Sequence, residues 1–296
     1  MSFSSKLTYM LRGEDLAWHR MLNPFEPSAV EVAKVQREIE GTLLTEVFTT
    51  SFFASVLGQA KAYETGKPTE LSNAYSILQP PEQRAKLLEF LSLMKPKMSG
   101  AHWKHLSERL RSDSRSQSLL ALFEVTLSGN LLAQLPSDRV ELNVPTVGGK
   151  DADIGVLLDG RMVHLEVTVL DESDAMKARR PMMAKQKYPI WTPSASEVDG
   201  TRLLARIESK AKEFKPKHPN VLAIQIFSSY DWSPLARENY LHHEVEDIGL
   251  LLPFGRIEMI PNFVKEPDVS CRVTDTERRM LLNLLNGNSF FPLGYI

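Results

Sequence analysis

The sequence contains one cysteine, Cys271, which excludes an internal disulfide and any metal site built from several cysteines. It contains no apolar run of membrane-spanning length, and its N-terminal stretch has no long apolar core of the kind found in signal peptides. A chain without disulfides fits a reducing compartment. We therefore expect a cytoplasmic protein without a membrane partner.

An excess of charge of one sign is also missing. The chain has 35 Lys and Arg residues against 37 Asp and Glu residues, and its formal net charge is -2. A global basic field is thus excluded, so that any contact with nucleic acid must be local. The hydrophobic fraction of 43% and the charged fraction of 24% are ordinary, and 296 residues are enough for one or two domains with a sizeable core.

The first part of the chain, residues 1–112, has the pattern of a helical region. Ser28 and Glu31 have the spacing of a capping box, and apolar residues follow at helical intervals. We predict one long helix over residues 29–63 and a second helix over residues 81–94.

The pattern changes from residue 114. A nearly all-round apolar segment over residues 119–132 predicts a helix that is buried against a sheet. Glu124 lies inside this segment, where a carboxylate is costly unless it is paired or binds a cation. Two interpretations stay open: an arginine partner, with Arg115 and Arg139 as candidates, or a metal ion.

A short strand is predicted over residues 139–144, and a β-hairpin follows it. The dipeptide at 159–160, Asp-Gly, is a type I′ turn signal with a predicted strand on each side, and the second of these strands alternates cleanly between apolar and polar residues. The turn fixes the register, which places Asp153 opposite Glu166. Facing residues have β-carbons roughly 4.5–5.5 Å apart, and like charges there destabilise the pair. Either solvent screens this face, or the two carboxylates hold a divalent cation such as Mg²⁺.

A long connection follows residue 170. Loops of this length are usually functional or disordered, so this loop either contacts phosphates or is merely solvated. Its basic residues are Lys177, Arg179, Arg180, Lys185 and Lys187.

An amphipathic helix is predicted over residues 201–214, in which Arg206 and Lys210 lie one turn apart. The apolar run 220–227 then predicts a buried strand that is parallel to the preceding strand. Strand, crossover helix and parallel strand thus form one right-handed unit.

The end of the chain is less informative. Residues 250–260 have strand character that is interrupted at Pro253, and Thr274 with Glu277 forms another capping-box spacing. The helix that this box starts either packs on the core or offers its apolar residues as a homodimer surface.

The predicted elements follow one another as a helix with Glu124, a short strand, a strand with Asp153, a strand with Glu166, a helix and a buried strand. This order resembles the core of the PD-(D/E)XK nuclease superfamily. The resemblance covers residues 114–227. It implies an α/β fold of the restriction-endonuclease-like type, with a mixed central sheet flanked by helices. We expect three regions, which are a helical N-terminal region (1–112), the nuclease-like core (113–230) and a C-terminal α/β extension packed on the core (231–296).

The resemblance also implies a site and an activity. In that superfamily an Asp and a Glu on successive strands bind the catalytic metal, often with a Glu from the first helix, and these positions are Asp153, Glu166 and Glu124 here. The implied activity is phosphodiester hydrolysis of nucleic acid with Mg²⁺ or Mn²⁺, and DNA is the expected substrate. Arg206 and the basic loop residues are expected to hold the phosphate backbone.

One position departs from the family pattern. A lysine is expected two residues after the third-strand acid, and this chain has Thr168 there. Lys210 or Arg206 from the following helix can replace it, with Lys210 as the expected electrostatic catalyst. Alternatively the site is inactive, and the domain serves nucleic-acid binding or assembly. In an inactive site, two facing carboxylates would destabilise the hairpin without serving a function, and this favours activity.

Overall fold

The computed structural model describes residues 28–65, 77–145, 151–170, 202, 205–210, 218–226, 250–254 and 272–286. The chain divides into two compact units with the boundary between Gly129 and Asn130. The described elements of the first unit are helices, and those of the second unit include a sheet. Within these described residues, no helix has the length and apolar character needed to cross a bilayer.

The helices of the first unit follow one another at short intervals. The last of them, α6, begins in the first unit and ends in the second. Their bounds are Ala29–Glu38 (α1), Leu44–Val47 (α2), Thr50–Glu64 (α3), Pro81–Met94 (α4), Gly100–Leu110 (α5) and Arg115–Gln134 (α6), with a 3-10 turn at Lys95–Lys97.

The capping box at the start of α1 is confirmed, because Ser28 Oγ accepts a hydrogen bond from Glu31 N at 3.2 Å and Glu31 Oε2 accepts one from Ser28 N at 2.9 Å. The single long helix over residues 29–63 is wrong. Gly41 has a φ of 74°, a left-handed conformation that glycine adopts without steric cost, and the chain turns there between α1 and α2. The apolar periodicity runs through this turn and therefore hid it.

Helix α6 is buried along most of its length, as its apolar pattern predicted. Phe123, Val125 and Leu127 are fully buried. At Gly129, an added β-carbon would overlap the ring of Phe90, so the aromatic ring of α4 packs directly on the backbone of α6. The absence of a side chain at this position makes that close packing possible.

The described residues of the second unit form a five-stranded sheet with the order β1-β2-β3-β4-β5. The first two strand pairs are antiparallel and the last two are parallel, so the predicted mixed α/β fold with helices beside a mixed sheet is confirmed. The strands are Val140–Pro145 (β1), Asp151–Leu158 (β2), Arg161–Leu170 (β3), Asn220–Ile226 (β4) and Leu250–Phe254 (β5).

The hairpin formed by β2 and β3 has the predicted turn and register. Asp159 and Gly160 have φ values of 47° and 80°, and both signs are those of a type I′ turn. Leu158 pairs with Arg161 and Ile154 pairs with Leu165, which is the register that sets Asp153 opposite Glu166. The register of the hairpin is therefore determined by two residues of the sequence.

Strand β5 corrects a prediction. Pro253 was expected to interrupt the strand, but it lies inside Leu250–Phe254 at the position paired with Ile224. Because β5 is the last strand in the described sheet order, a residue without an N–H is tolerated there, as on other edge strands.

Helix α7 (Asp275–Asn286) packs on its own unit. Its predicted capping box is confirmed, because Glu277 Oε2 accepts a hydrogen bond from Thr274 N at 2.7 Å. At its other end, Asn130 Nδ2 of α6 donates to the carbonyl of Leu285, one of the last helix carbonyls, at 3.3 Å. Leu281 and Leu285 are fully buried within the single chain.

Candidate functional site

Asp153 lies where the pairing of β2 with β3 stops. The backbone pairing of the two strands ends at the pair Ile154 and Leu165. At the preceding residue of β2, Asp153, the side chain instead of the backbone bonds to β3. Asp153 Oδ2 accepts a hydrogen bond from Val167 N at 2.7 Å. This bond fixes the carboxylate between the two strands, while the residue as a whole is only partly buried.

Glu166 occupies the middle of β3, next to the Asp153 position when the register of the hairpin is extended. Glu166 is 3% exposed, and its neighbours on the same face, His164 and Thr168, are also buried. The interpretation that solvent screens this face is therefore wrong for Glu166. A buried carboxylate needs a partner inside the protein or a bound cation.

Lys210 is a partner of Glu166. The described residues of the predicted helix 201–214, namely 202 and 205–210, are helical. Ile207 is buried, and Lys210 follows three residues later on the same side of the helix. Lys210 Nζ lies 2.5 Å from Glu166 Oε1. An ammonium group thus reaches the buried acid from the crossover helix, although Thr168 itself provides none.

Glu124 has its charge partner within the first unit. The guanidinium of Arg109, on α5, donates to Glu124 Oε2 from a side chain that is itself largely buried. Glu124 therefore has the predicted arginine partner, but this partner is Arg109 and not Arg115 or Arg139. No spacing rule of the sequence links two residues on successive helices, so Arg109 was missed.

Asp153 and Glu166, both in the second unit, are the candidate metal ligands on the hairpin. Among the described residues, no group of three or more His, Cys, Asp or Glu side chains is placed to hold a metal ion. Mg²⁺, however, is commonly held by one or two carboxylates, with water and substrate oxygens completing its shell. The donor set of Asp153 and Glu166 therefore fits Mg²⁺, and also Mn²⁺, which prefers the same oxygen ligands.

The residues predicted to contact nucleic acid fall into two groups. Arg206 is exposed on the helical segment that carries Lys210, one turn before it. The basic residues of the loop lie outside the described residues, and these are Lys177, Arg179, Arg180, Lys185 and Lys187.

Comparison of the chain with family models, with curated proteins and with solved structures gave no match. The chain is a mixed α/β protein in which Lys210 contacts Glu166 and in which Asp153 takes the next register position beside Glu166.

Proposed function

We propose that the chain is a metal-dependent phosphodiesterase with a restriction-endonuclease-like core, which hydrolyses nucleic acid and has DNA as its substrate. The observation that carries the proposal is the contact between Lys210 and Glu166 beside Asp153. In the superfamily that the chain resembles, a lysine accompanies the two metal-binding acids. Here Lys210 supplies an ammonium group to the acid of β3, where Thr168 leaves the motif without one.

The charges of the three side chains support this function. Asp153 and Glu166 are acids at adjacent register positions, and carboxylate oxygens are ligands that Mg²⁺ prefers. The ammonium group of Lys210 contacts Glu166 and would attract a phosphodiester group. When bound, the metal activates a water molecule and neutralises charge on the phosphate oxygens.

Each of the proposed site residues has a separate task. Asp153, fixed by the N–H of Val167, and Glu166 hold the cation. Lys210 stabilises the charge that develops on the attacked phosphate or orients the attacking water. Arg206 is exposed one helical turn away and binds the phosphate backbone together with the basic loop residues named above.

Cleavage of supercoiled plasmid DNA in Mg²⁺, in Mn²⁺ and in EDTA tests the proposal. We expect metal-dependent nicking by the wild type, and a loss of about 100-fold or more in rate for Asp153→Asn and for Lys210→Met. Asp159→Asn is the matched control, because it makes the same chemical change at the exposed turn, where asparagine tolerates a positive φ. Lys104→Met is the control for the lysine, since Lys104 is exposed on α5.

If the wild-type protein shows no metal-dependent cleavage of double-stranded DNA, single-stranded DNA or RNA, the proposal of an enzymatic function is refuted. The second candidate is then an inactive domain of the same type that binds nucleic acid or takes part in assembly. The ion pairs of Glu166 with Lys210 and of Glu124 with Arg109 favour it, because a buried acid with a protein cation has no need of a metal. Gel-shift binding that is unaffected by EDTA and by Asp153→Asn would support this candidate.

A further inference from the structure

We propose that the side-chain amide oxygen of Asn143, on β1, is an additional ligand of the cation at Asp153 and Glu166. This inference rests on the proposed function and extends its metal site to a third strand. It follows from the strand register, from the backbone of Asn143 and from the surroundings of its amide.

The register places Asn143 beside Asp153. In the antiparallel pairing of β1 with β2, Leu142 pairs with Ile154 and Val144 pairs with Ala152. One residue remains between these pairs on each strand, namely Asn143 and Asp153, and these two do not form a ladder pair. Facing positions of antiparallel strands are about 4.5–5.5 Å apart between their α-carbons. Asn143, Asp153 and Glu166 thus occupy one row across three neighbouring strands.

The backbone of Asn143 departs from a regular strand at this row. Its φ is 54°, which is uncommon for any residue other than glycine and is best tolerated by asparagine and aspartate. The side-chain alternation of β1 is lost there. An added β-carbon on Gly155 would lie 3.7 Å from Glu141 Cβ and 2.8 Å from Val144 Cγ2, although Glu141 and Val144 should lie on opposite faces. The strand is therefore bent beside Asp153, as strands often are next to active sites.

The amide oxygen of Asn143 lacks a partner in the part of the chain that the structure describes. Asn143 Oδ1 is buried and accepts no hydrogen bond from those residues. An unsatisfied buried polar atom costs about 1–3 kcal/mol, so its burial points to a partner of another kind. Amide oxygens are ligands of hard cations. A cation held by Asp153 and Glu166 would supply the positive charge that this oxygen needs.

Direct measurement of Mn²⁺ affinity, by calorimetry and by electron paramagnetic resonance, tests the inference without any assay of cleavage. Asn143→Gly removes the amide but keeps the left-handed backbone, whereas Asn143→Asp keeps an oxygen ligand and the tolerance for a positive φ. We expect Asn143→Gly to weaken Mn²⁺ binding by about tenfold or more, and Asn143→Asp to bind Mn²⁺ as tightly as the wild type or more tightly.

The two proposals fail in different ways. If the wild type binds no Mn²⁺, or binds it as well after Asp153→Asn, the proposed metal site itself is wrong. If the wild type binds Mn²⁺, Asp153→Asn abolishes binding and Asn143→Gly leaves the affinity unchanged, Asn143 serves only the bend of β1. Should Asn143→Gly fail to fold, Asn143→Asp decides alone, because an added negative charge on a ligand tightens binding of a divalent cation. An affinity that is lower in Asn143→Asp would overturn the inference.

Discussion

Each unit of the molecule contains a deeply buried acid that is paired with a largely buried basic side chain, and these two pairs have similar burial. The Glu124 and Arg109 side chains are 3% and 16% exposed in the first unit, and the Glu166 and Lys210 side chains are 4% and 19% exposed in the second. Both pairs remove charge from water, which is favourable only if the partners stay together. By burial alone the two acids cannot be told apart.

Their surroundings differ in a way that burial does not show. Glu124 lies between apolar residues of α6, and one guanidinium balances its single charge. Glu166 has the position of Asp153, a second acid, next to it in the register, and its ammonium partner comes from another element. A single acid with a single basic partner is sufficient for a structural role. The second acid next to Glu166 is the feature that distinguishes a candidate metal site.

The largest effect is expected when the balanced pair is broken. Arg109→Met leaves the Glu124 carboxylate buried without its cation, and the free energy of unfolding should fall by about 3–5 kcal/mol. Urea unfolding followed by circular dichroism measures this loss, and it should be the same in Mg²⁺ and in EDTA. Arg37→Met, at an exposed position of α1, is the matched control and should change stability little.

The double variant Arg109→Met with Glu124→Leu sharpens this result. It replaces both charges by apolar groups, which is often neutral or even stabilising, so most of the lost stability should return. A double variant that stays as unstable as Arg109→Met would mean that Glu124 interacts with more than the guanidinium, and the contrast between the two pairs would lose its basis.

Breaking the second pair should have a smaller effect that depends on metal. Lys210→Met should lower the unfolding free energy by about 3 kcal/mol in EDTA, which is the low end of the range for breaking a buried pair. The low end is expected because Asp153, the residue beside Glu166, is only partly buried. A bound cation then replaces the ammonium charge. At a Mg²⁺ concentration 100 times the dissociation constant, binding restores about 2.7 kcal/mol.

The decisive quantity is the stabilisation by Mg²⁺, compared between Lys210→Met, the wild type and the exposed control Lys104→Met. We expect it to be largest in Lys210→Met, because no ammonium group competes with the metal for Glu166. If Mg²⁺ stabilises none of the three proteins, Glu166 and Lys210 form a structural pair of the same kind as Glu124 and Arg109.

The parts of the fold that could be predicted from the sequence depend on local chemistry. The hairpin follows from the dipeptide at 159–160, which requires positive φ at both residues, and the start of α4 follows from Pro81 and helical periodicity. The capping boxes at Ser28 and Thr274 follow from a spacing of three residues. Each of these signals lies within one element.

The parts that could not be predicted depend on residues distant in sequence or on backbone conformations outside the regular pattern. Arg109 reaches Glu124 from another helix, and the turn at Gly41 lies within a continuous apolar periodicity. Asn143 takes a positive φ inside a strand, which no pattern of alternation indicates. The sequence predicts Lys210 in the site because Thr168 occupies the position where the family pattern has a lysine. The contact of Lys210 with Glu166 agrees with this prediction. The role of Lys210 in catalysis stays a prediction.

The smallest expected effects compare the two capping boxes, one in each unit. Thr274→Ala should lower the unfolding free energy by about 1 kcal/mol and Ser28→Ala by about 0.5 kcal/mol. The difference is expected because Glu277, the acid of the second box, is buried and also lies 3.6 Å from Arg161 Nε, whereas the first box is exposed. Loss of Thr274 therefore disturbs a carboxylate that water does not solvate.

Urea unfolding with Thr276→Ala as control measures this difference, since Thr276 is an exposed residue of the same helix that makes no cap. Neither capping variant should respond to Mg²⁺, because neither box lies in the proposed metal site. An equal or larger loss for Ser28→Ala would show that the burial of Glu277 adds nothing to its box. The second unit would then owe the stability of α7 to its apolar contacts and to Asn130, which binds the carbonyl of Leu285 at the far end of that helix.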